Sequence, residues 1–277
     1  MVGVDGTGGG RRPGQMPAGV DGTSWQRAVA LLRSAEAVAV LTGAGISTDS
    51  GIADFRGPQG VWTKNPEAEK ASNIDTYLAD GEVRRRAWQS RLSSPIWAAR
   101  PNRGHDALVA LERSGRLHTL VTQNIDGLHL LAGHDPEAVI EVHGNARSVV
   151  CWTCGDRNPM GHALERVRAG DPDPRCEGCG GILKSTTVLF GENLPDGAKE
   201  RAALAATQAD LLLTVGTSLA VYPVAGMVHY AHRAGVPVMI VNGQLTELDH
   251  LADAVLLGSI GDVLPSLVSA AIDPDPE

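Results

Sequence analysis

Aromatic side chains are scarce in this chain, at 4% of its 277 residues, although 43% of the residues are hydrophobic. A folded core must therefore be packed mainly by Ala, Val, Leu and Ile. A chain of this length can bury about 75% of its unfolded surface, which suffices for one large core or two unequal domains. The composition predicts a folded globular protein, and its two phenylalanines, Phe55 and Phe190, become candidates for special roles.

Long apolar runs are also absent, and so is any concentration of positive charge. No segment approaches the about 18 apolar residues of a membrane span. Residues 1–23 read as a disordered tail without a signal peptide, and residues 273–277 as a second tail. The 24 basic and 32 acidic residues give a net charge of -8, and the arginines are scattered, which argues against a nucleic-acid groove. We therefore expect a soluble, cytoplasmic protein that binds neither nucleic acid nor membrane, with Arg84, Arg85 and Arg86 on a solvated helix face.

Apolar runs of strand length recur along the chain and alternate with helical patterns at 25–33, 105–114 and 224–234. The runs cover residues 37–41, 117–121, 138–142, 211–215, 236–241 and 254–257. Continuous apolar strands separated by helices are typical of a parallel sheet that is covered on both faces. The sequence therefore predicts an α/β fold with a doubly wound, Rossmann-like parallel sheet.

Two segments interrupt this rhythm and predict a smaller second module. Residues 58–103 are polar and helix-like, and residues 146–187 hold all four cysteines among many Gly and Pro residues. The main domain would then comprise residues 24–57, 104–145 and 188–272. Because ligands of open α/β sheets bind beyond the carboxyl ends of the strands, we expect a binding cleft between the two modules.

The four cysteines form two C-x-x-C turns, Cys151 with Cys154 and Cys176 with Cys179. Two such turns can present four thiolates tetrahedrally to one zinc ion. Four protein ligands would leave no position for water, so this zinc would hold the fold together and would not catalyse. Two disulfides or reduced core cysteines are the alternative, which an intracellular compartment disfavours.

A glycine-rich loop, GAGI at residues 43–46, follows the first apolar run within the stretch LTGAGISTDSGIADFRG. It either cradles a phosphate with its backbone N–H groups or is an ordinary tight turn, since the full G-x-G-x-x-G pattern is missing. Polar residues follow two other runs, with Gln123, Asn124 and Asp126 in TQNIDGLH and His143 in EVHGN. His143 is either a general base that titrates near neutral pH or a hydrogen-bonded structural histidine.

Seven motifs occur in the order in which they occur in sirtuins, the NAD-dependent protein lysine deacylases. They are GAGISTDSGIADFRG, TQNIDGLH, HG at His143, the paired C-x-x-C turns, VLFGE, GTSLAVYP and VN at Val241-Asn242. The chain resembles this family over about residues 24–270. The resemblance implies an enzyme that consumes NAD, moves an acyl group from a protein lysine to ADP-ribose, releases nicotinamide and carries one structural zinc.

The resemblance also implies roles for individual residues. His143 would be the catalytic base that acts on a ribose hydroxyl, while Asn124 and Asp126 would order the ribose, the nicotinamide amide and nearby water. The NAD contacts would be Gly43, Ala44, Gly45, Ile46, Asp54, Phe55, Arg56, Gln123, Asn124, Ile125, Asp126, Gly216, Thr217, Ser218, Asn242, Gly243, Gln244 and Ile260. Phe55 would shield the reactive ribose carbon from water, in a loop where Ala53 replaces the proline usual in sirtuins.

The same resemblance places an acylated-lysine protein substrate between two segments of the chain. One segment would line the acyl-lysine tunnel and pair with the substrate backbone as an added strand, and the other would form the opposite edge. The first segment contributes Val188, Phe190 and Gly191, and the second contributes Leu219 and Val221.

The acyl preference and the oligomeric state stay open at this point, and a monomer is compatible with the sequence. Arg91 in AWQSR resembles an arginine that binds acidic acyl groups in some sirtuins, but Trp88 stands where those proteins have tyrosine. An exposed helix arginine is the alternative interpretation of Arg91. Protein mono-ADP-ribosyl transfer from the same NAD site is the alternative activity.

Overall fold

The computed structural model describes residues 14–54, 57, 60–64 and 72–272, without the side chains of Val61 and Trp62. Its strands are β1 Val38–Thr42, β2 Leu117–Thr122, β3 Val139–Glu141, β4 Ser148–Cys151, β5 Arg157–Pro159, β6 Leu183–Ser185, β7 Leu211–Val215, β8 Val238–Asn242 and β9 Ala254–Leu257. A six-stranded sheet has the order β3-β2-β1-β7-β8-β9, and every pair in it is parallel. The predicted doubly wound α/β fold is thereby confirmed, with one strand at each of the six apolar runs.

Helices connect the strands of this sheet and also occupy the interrupting segments. They are α1 Gly22–Ser34, α2 Val61–Lys64, α3 Ile74–Ala79, α4 Gly81–Leu92, α5 Arg103–Arg113, α6 Leu128–Ala132, α7 Met160–Arg168, α8 Ala198–Gln208, α9 Gly226–Ala234 and α10 Ile260–Ile272. Short 3-10 helices cover Ala44–Ser50, Pro95–Trp97 and Asp249–Leu251. No helix within the described ranges is long and apolar enough to cross a bilayer.

The six-stranded sheet is buried on both faces, which explains why its strands read as continuous apolar runs. All five residues of β1 and all five of β7 are buried. Val38 and Val40 pack into the core beneath α1, α5 and α10, whereas Ala39 and Leu41 pack into the core beneath α8 and α9. This alternation is the period-two geometry of a strand, so one sheet organises two aliphatic layers.

The second region contains a small antiparallel sheet in the order β5-β4-β6. A separate apolar cluster joins Trp88 of α4 to Val149, Met160 and Leu183 of the cysteine-containing segment. We propose on this ground that residues 58–103 and 146–187 form one module, as the sequence predicts. The short strands of this sheet did not stand out in the sequence, since β5 is exposed at every residue.

The prediction of a solvated arginine triplet is wrong for Arg84. Its side chain is only 8% exposed, and its Nε lies 2.9 Å from Asp173 Oδ2. The guanidinium also donates to the carbonyl oxygens of Tyr77 and Leu78, at 3.1 and 2.8 Å. Arg84 thus ties the two interrupting segments together, while Arg86 is exposed as predicted.

Candidate active site

The glycine loop lies where the strand order reverses, between β1 and β7, which is the usual ligand site of a doubly wound sheet. Gly43 follows β1 and Gly216 follows β7. A Cβ at Gly43 would come within 2.7 Å of the Thr217 Cβ and 2.8 Å of the Gly216 oxygen. The two loops therefore touch backbone to backbone, and glycine is required for that close approach.

Behind this loop, Asn124 and Asp126 form a buried hydrogen-bonded set. Asn124 Nδ2 donates to the Gly43 oxygen at 3.1 Å and to Ser47 Oγ at 3.2 Å, and the Ser47 hydroxyl donates to Asp126 Oδ2 at 2.8 Å. Asp126 Oδ1 accepts the Leu128 N–H at 2.8 Å. Burial raises the pKa of Asp126, and these hydrogen bonds oppose the rise. The set fixes the glycine loop against the end of β2.

His143 follows β3 and is held in one orientation by the backbone. Its Nδ1 lies 3.0 Å from the Gln123 carbonyl oxygen. Because a carbonyl oxygen can only accept, Nδ1 must carry the proton, and Nε2 is left with a lone pair. Burial lowers the pKa of His143, so the imidazole is neutral at neutral pH. The geometry gives His143 the protonation state that a general base requires.

A single cleft of about 1730 Å³ joins the residues that the sequence singled out. This volume exceeds the roughly 300–1,000 Å³ of an ordinary small-molecule site, so the cleft has room for more than one substrate. Its lining includes Gly43, Ala44, Gly45, Asp54, Arg91, Gln123, Asn124, Ile125, His143, Val188, Phe190, Gly191, Gly216, Thr217, Ser218, Val221, Asn242, Gly243, Gln244 and Ile260. Ile46, Asp126 and Leu219 are buried behind that lining. Phe55 and Arg56 lie outside the described residues.

At one end of the cleft, Asn242 is the last residue of β8 and lines the site beside the loop that follows β7. Its Nδ2 donates to the Thr217 oxygen at 3.2 Å and to the Gln244 oxygen at 2.9 Å. Thr217 Oγ1 in turn accepts from Gln123 Nε2 at 2.9 Å. One hydrogen-bonded chain therefore connects the ends of β2, β7 and β8.

At the other end, Phe190 is 40% exposed in the cleft wall. Its backbone N–H donates to the Ser72 oxygen at 2.9 Å, and its carbonyl oxygen accepts from Ile74 at 3.0 Å. The backbone of Phe190 is thus already paired with the helical segment. Gly191, next in the chain, has a φ of 90° and makes no hydrogen bond through its N–H to any residue that the structure describes.

Arg91 lies in the cleft wall and is only partly exposed, which contradicts its interpretation as an exposed helix arginine. Its guanidinium carbon lies 5.2 Å from the centre of the Trp88 ring and 5.6 Å from that of Tyr77. Its Nη1 is buried and has no hydrogen-bond partner within the described ranges. The cationic group is therefore stacked on aromatic rings, with one donor still unused.

The four cysteines meet in one cluster, with all their sulfur atoms within 4.8 Å of one another. Cys151 Sγ lies 3.5 Å from Cys179 Sγ, and Cys154 Sγ lies 3.8 Å from Cys176 Sγ. Ligands at about 2.3 Å around a tetrahedral zinc are about 3.8 Å apart, so the sulfurs fit that ion and are not disulfide-bonded. Gly155 and Gly180, which follow the second cysteine of each pair, have φ values of 75° and 72° and supply the turns.

Sequence reasoning did not assign a role to Ser47 or Lys184. Ser47 directly follows the GAGI loop, and its buried hydroxyl is hydrogen-bonded to both Asn124 and Asp126. The signal that could have pointed to it is a short polar side chain in a phosphate-type loop. Lys184 gave no signal, because a lysine near the second cysteine pair looks like any surface residue. Its burial arises only in the folded protein.

Comparison with known proteins agrees with this site. The model of the Sir2 family matches residues 43–223, and the chain therefore belongs to the Sir2 family. NAD-dependent protein deacetylase 2 of Streptomyces coelicolor is 47% identical over 231 residues, which covers 83% of this chain and 96% of that protein. The NAD-dependent protein deacetylase of Sulfolobus acidocaldarius is 42% identical over 240 residues, covering 86% and 91%.

Solved structures of the family have the same architecture. A Sir2 structure with a deacetylated p53 peptide and 3'-O-acetyl ADP ribose is 32% identical, has a TM-score of 0.82 and covers 88% of this chain and 97% of its own. Sir2Tm bound to a propionylated peptide is 31% identical, with a TM-score of 0.77 and coverage of 86% and 94%. The described fold is thus that of Sir2 enzymes.

Proposed function

We propose that this chain is an NAD-dependent protein lysine deacylase, which transfers acyl groups from lysine side chains to ADP-ribose and releases nicotinamide and O-acyl-ADP-ribose. Membership of the Sir2 family and the relatives named NAD-dependent protein deacetylases support this function. The observation that carries it is the position of His143. A neutral imidazole with an available Nε2 lines the same cleft as the glycine loop.

In this proposal NAD is a co-substrate that supplies the ADP-ribose acceptor. The loops at Gly43 and Gly216 lie against its pyrophosphate, since glycine lets a ligand approach the backbone closely, and Asn242 lies at its adenosine end. Asn124 and Asp126 order the ribose and the nicotinamide amide beside the backbone of Gly43. This assignment places the reacting ribose carbon near His143.

His143 acts as the general base. Its Nδ1–H stays bonded to the Gln123 oxygen, so Nε2 accepts the proton of a ribose hydroxyl while the ring keeps its orientation. By this stage the acyl oxygen has displaced nicotinamide from the ribose carbon, and the alkoxide attacks the acyl carbon, which is still bonded to the lysine nitrogen. That C–N bond then breaks, the lysine amine leaves with a proton, and water adds to the acyl carbon and frees the hydroxyl on the ribose carbon, which yields O-acyl-ADP-ribose. A base buried enough to remain neutral needs no prior deprotonation at neutral pH.

The four cysteines hold one zinc ion as a structural element. Four thiolate ligands saturate a tetrahedral ion, so the metal contributes folding free energy and leaves catalysis to the cleft. The three-stranded sheet that carries Cys151 is the part of the molecule that this ion organises.

Acylated peptides incubated with NAD test the function. We expect NAD-dependent loss of the acyl group together with equal amounts of nicotinamide and O-acyl-ADP-ribose. Labelling of protein with ADP-ribose in the absence of acylated peptide would instead support the alternative, mono-ADP-ribosyl transfer. The protein substrates would be acylated on exposed lysines. We also expect a cytoplasmic location, which cell fractionation would check.

Arg91 supports a refinement of the acyl preference. We propose that its buried, unpaired Nη1 binds the carboxylate of an acidic acyl group such as succinyl, because a guanidinium with a free donor favours an anionic partner. Arg91→Met should lower kcat/KM on succinyl-lysine peptide by about tenfold or more, the size of a charged hydrogen bond, and spare acetyl-lysine peptide. Equal losses on both peptides would show that Arg91 only packs on Trp88 and Tyr77.

A further inference from the structure

A buried ion pair joins the small sheet to the segment proposed to bind the acylated peptide. Lys184 Nζ lies 3.0 Å from Glu192 Oε2, and the two side chains are only 4% and 13% exposed. Burial lowers the pKa of Lys184, and the Glu192 carboxylate opposes that shift. Lysine is rarely buried without a specific partner, so the pair is a built feature of this fold.

The pair organises the turn that follows β6. Lys184 Nζ also donates to the Thr187 oxygen at 3.0 Å, while the Glu192 carboxylate accepts the Leu189 N–H at 2.8 Å. The Glu192 N–H donates back to the Leu189 oxygen at 3.0 Å. Both ends of the segment 187–192 are thereby fixed to one ammonium group.

This turn is attached directly to the proposed catalytic base. The Val188 N–H donates to the His143 oxygen at 2.8 Å. On its other side, Lys184 of β6 pairs in register with Val150 of β4, next to the pair formed by Leu183 and Cys151. The ion pair therefore lies between the cysteine cluster and the backbone of His143.

The same segment is a thin wall between two cavities. The main cleft lies on one side, and a second cavity of about 560 Å³, lined by Lys184 and Glu192, lies on the other. Both cavities reach Val188, Glu192, Asn193 and Pro195. A wall with open space on both sides has little packing to hold it, so its shape depends on polar contacts.

We propose that Lys184 is a positioning residue for the acylated peptide: through Glu192, Thr187 and Leu189 it sets the wall at 187–192 against which the substrate backbone binds. The inference rests on the proposed function. It predicts that the pair controls the affinity for peptide, whereas NAD binds to the loops at Gly43 and Gly216, which the pair does not touch.

Steady-state kinetics of the full chain with acetyl-lysine peptide and NAD test this role. Lys184→Met should raise the KM for peptide by about tenfold, a size usual for coupled neighbouring groups, with the KM for NAD unchanged. Glu192→Gln keeps the size of the side chain and an acceptor for the Leu189 N–H. It should likewise raise the KM for peptide and leave the KM for NAD unchanged, and it replaces Lys184→Met if that variant folds poorly. In the double variant the two effects should be less than additive, because both substitutions remove one interaction.

Arg166→Met is the matched control, since Arg166 makes a partly buried ion pair with Asp171 at 2.8 Å in the same region without contacting the wall. It should leave the KM for peptide unchanged. Additive effects, an unchanged KM for peptide in the folded variants, or an equal rise in the KM for NAD would overturn the proposal. Absence of deacylation by the unmodified chain would instead refute the proposed function, and the two failures are thus distinguishable.

Discussion

The six-stranded sheet and the three-stranded sheet of this protein are stabilised by different means. The first buries two aliphatic layers, with Leu213 and its neighbours fully buried in the central strand β7. The second has one small apolar cluster, four cysteine sulfurs and buried ion pairs such as Arg84 with Asp173. We therefore expect hydrophobic burial to dominate the stability of the first region, and a metal ion and specific charges to contribute more to that of the second.

This difference matters because the candidate active site lies where both regions meet. The glycine loops and His143 follow strands of the large sheet, while Val188 and Phe190 extend from the small one. Damage to either region should therefore abolish activity, but through different physical steps.

Removal of one cysteine should have the largest effect. Cys176→Ala is expected to lose zinc and to unfold the small region, because structural zinc contributes roughly 10 to 16 kcal/mol in small peptides, against a net stability of about 5 to 15 kcal/mol for a domain. Zinc content by mass spectrometry and deacylation should fall together. A zinc-free variant with full activity would contradict the structural assignment of the cysteines.

A cavity in the large sheet should have a smaller effect of a different kind. Leu213→Ala is expected to lower the free energy of unfolding by about 2–5 kcal/mol, since the side chain is fully buried. Denaturant unfolding gives the stability, and the folded variant should still bind one zinc ion per chain. Loss of zinc from folded Leu213→Ala would show that the two regions are not separable in this way.

Acid should destabilise the large-sheet region through its buried histidines. Burial lowers the pKa of His105 to about 4 and also lowers the pKa of its neighbour His129 well below the usual range of histidine. His134 and Glu112 lie beside them. Above pH 6.5 neither the folded nor the unfolded state is protonated at His105. As the pH falls below 6.5, His105 binds a proton in the unfolded state but not in the folded state, so the free energy of unfolding decreases.

By pH 4, His105 alone should lower the free energy of unfolding by up to about 3 kcal/mol. His105→Gln keeps an acceptor for the Asn102 N–H in the capping box and should flatten the decline in unfolding free energy between pH 6.5 and pH 4. Chemical denaturation at a series of pH values measures it. An unchanged slope in the variant would assign the acid sensitivity to other groups.

The large sheet could be predicted from sequence because its central strands, β1 and β7, are buried on both faces. Such burial appears in the sequence as continuous apolar runs, for example Leu211–Val215. The small sheet could not, because β5 is exposed at all positions and its pairing depends on the cysteine cluster. The burial of Arg84 has no signal in the sequence because its partner, Asp173, lies 89 residues away in the chain.

The candidate site likewise has residues that the sequence predicts and contacts that it does not. Its motif residues lie directly after strand ends, where a parallel sheet gathers them, so Asn124 and His143 could be placed from sequence. The partner that sets the tautomer of His143 is a backbone carbonyl, and the residue that we propose to position the segment 187–192 is a buried lysine. Neither has a sequence pattern, because both depend on distances that exist only after folding.

Deacylation by His143→Ala tests the central claim most directly. The variant should fold, bind one zinc ion per chain and form O-acyl-ADP-ribose about 100 to 10,000 times more slowly than the unmodified chain, the range that a positioned base contributes. Zinc content and the unfolding midpoint serve as controls measured on the same preparation. Near-normal product formation in a folded, zinc-loaded variant would contradict the assignment of His143 as the base.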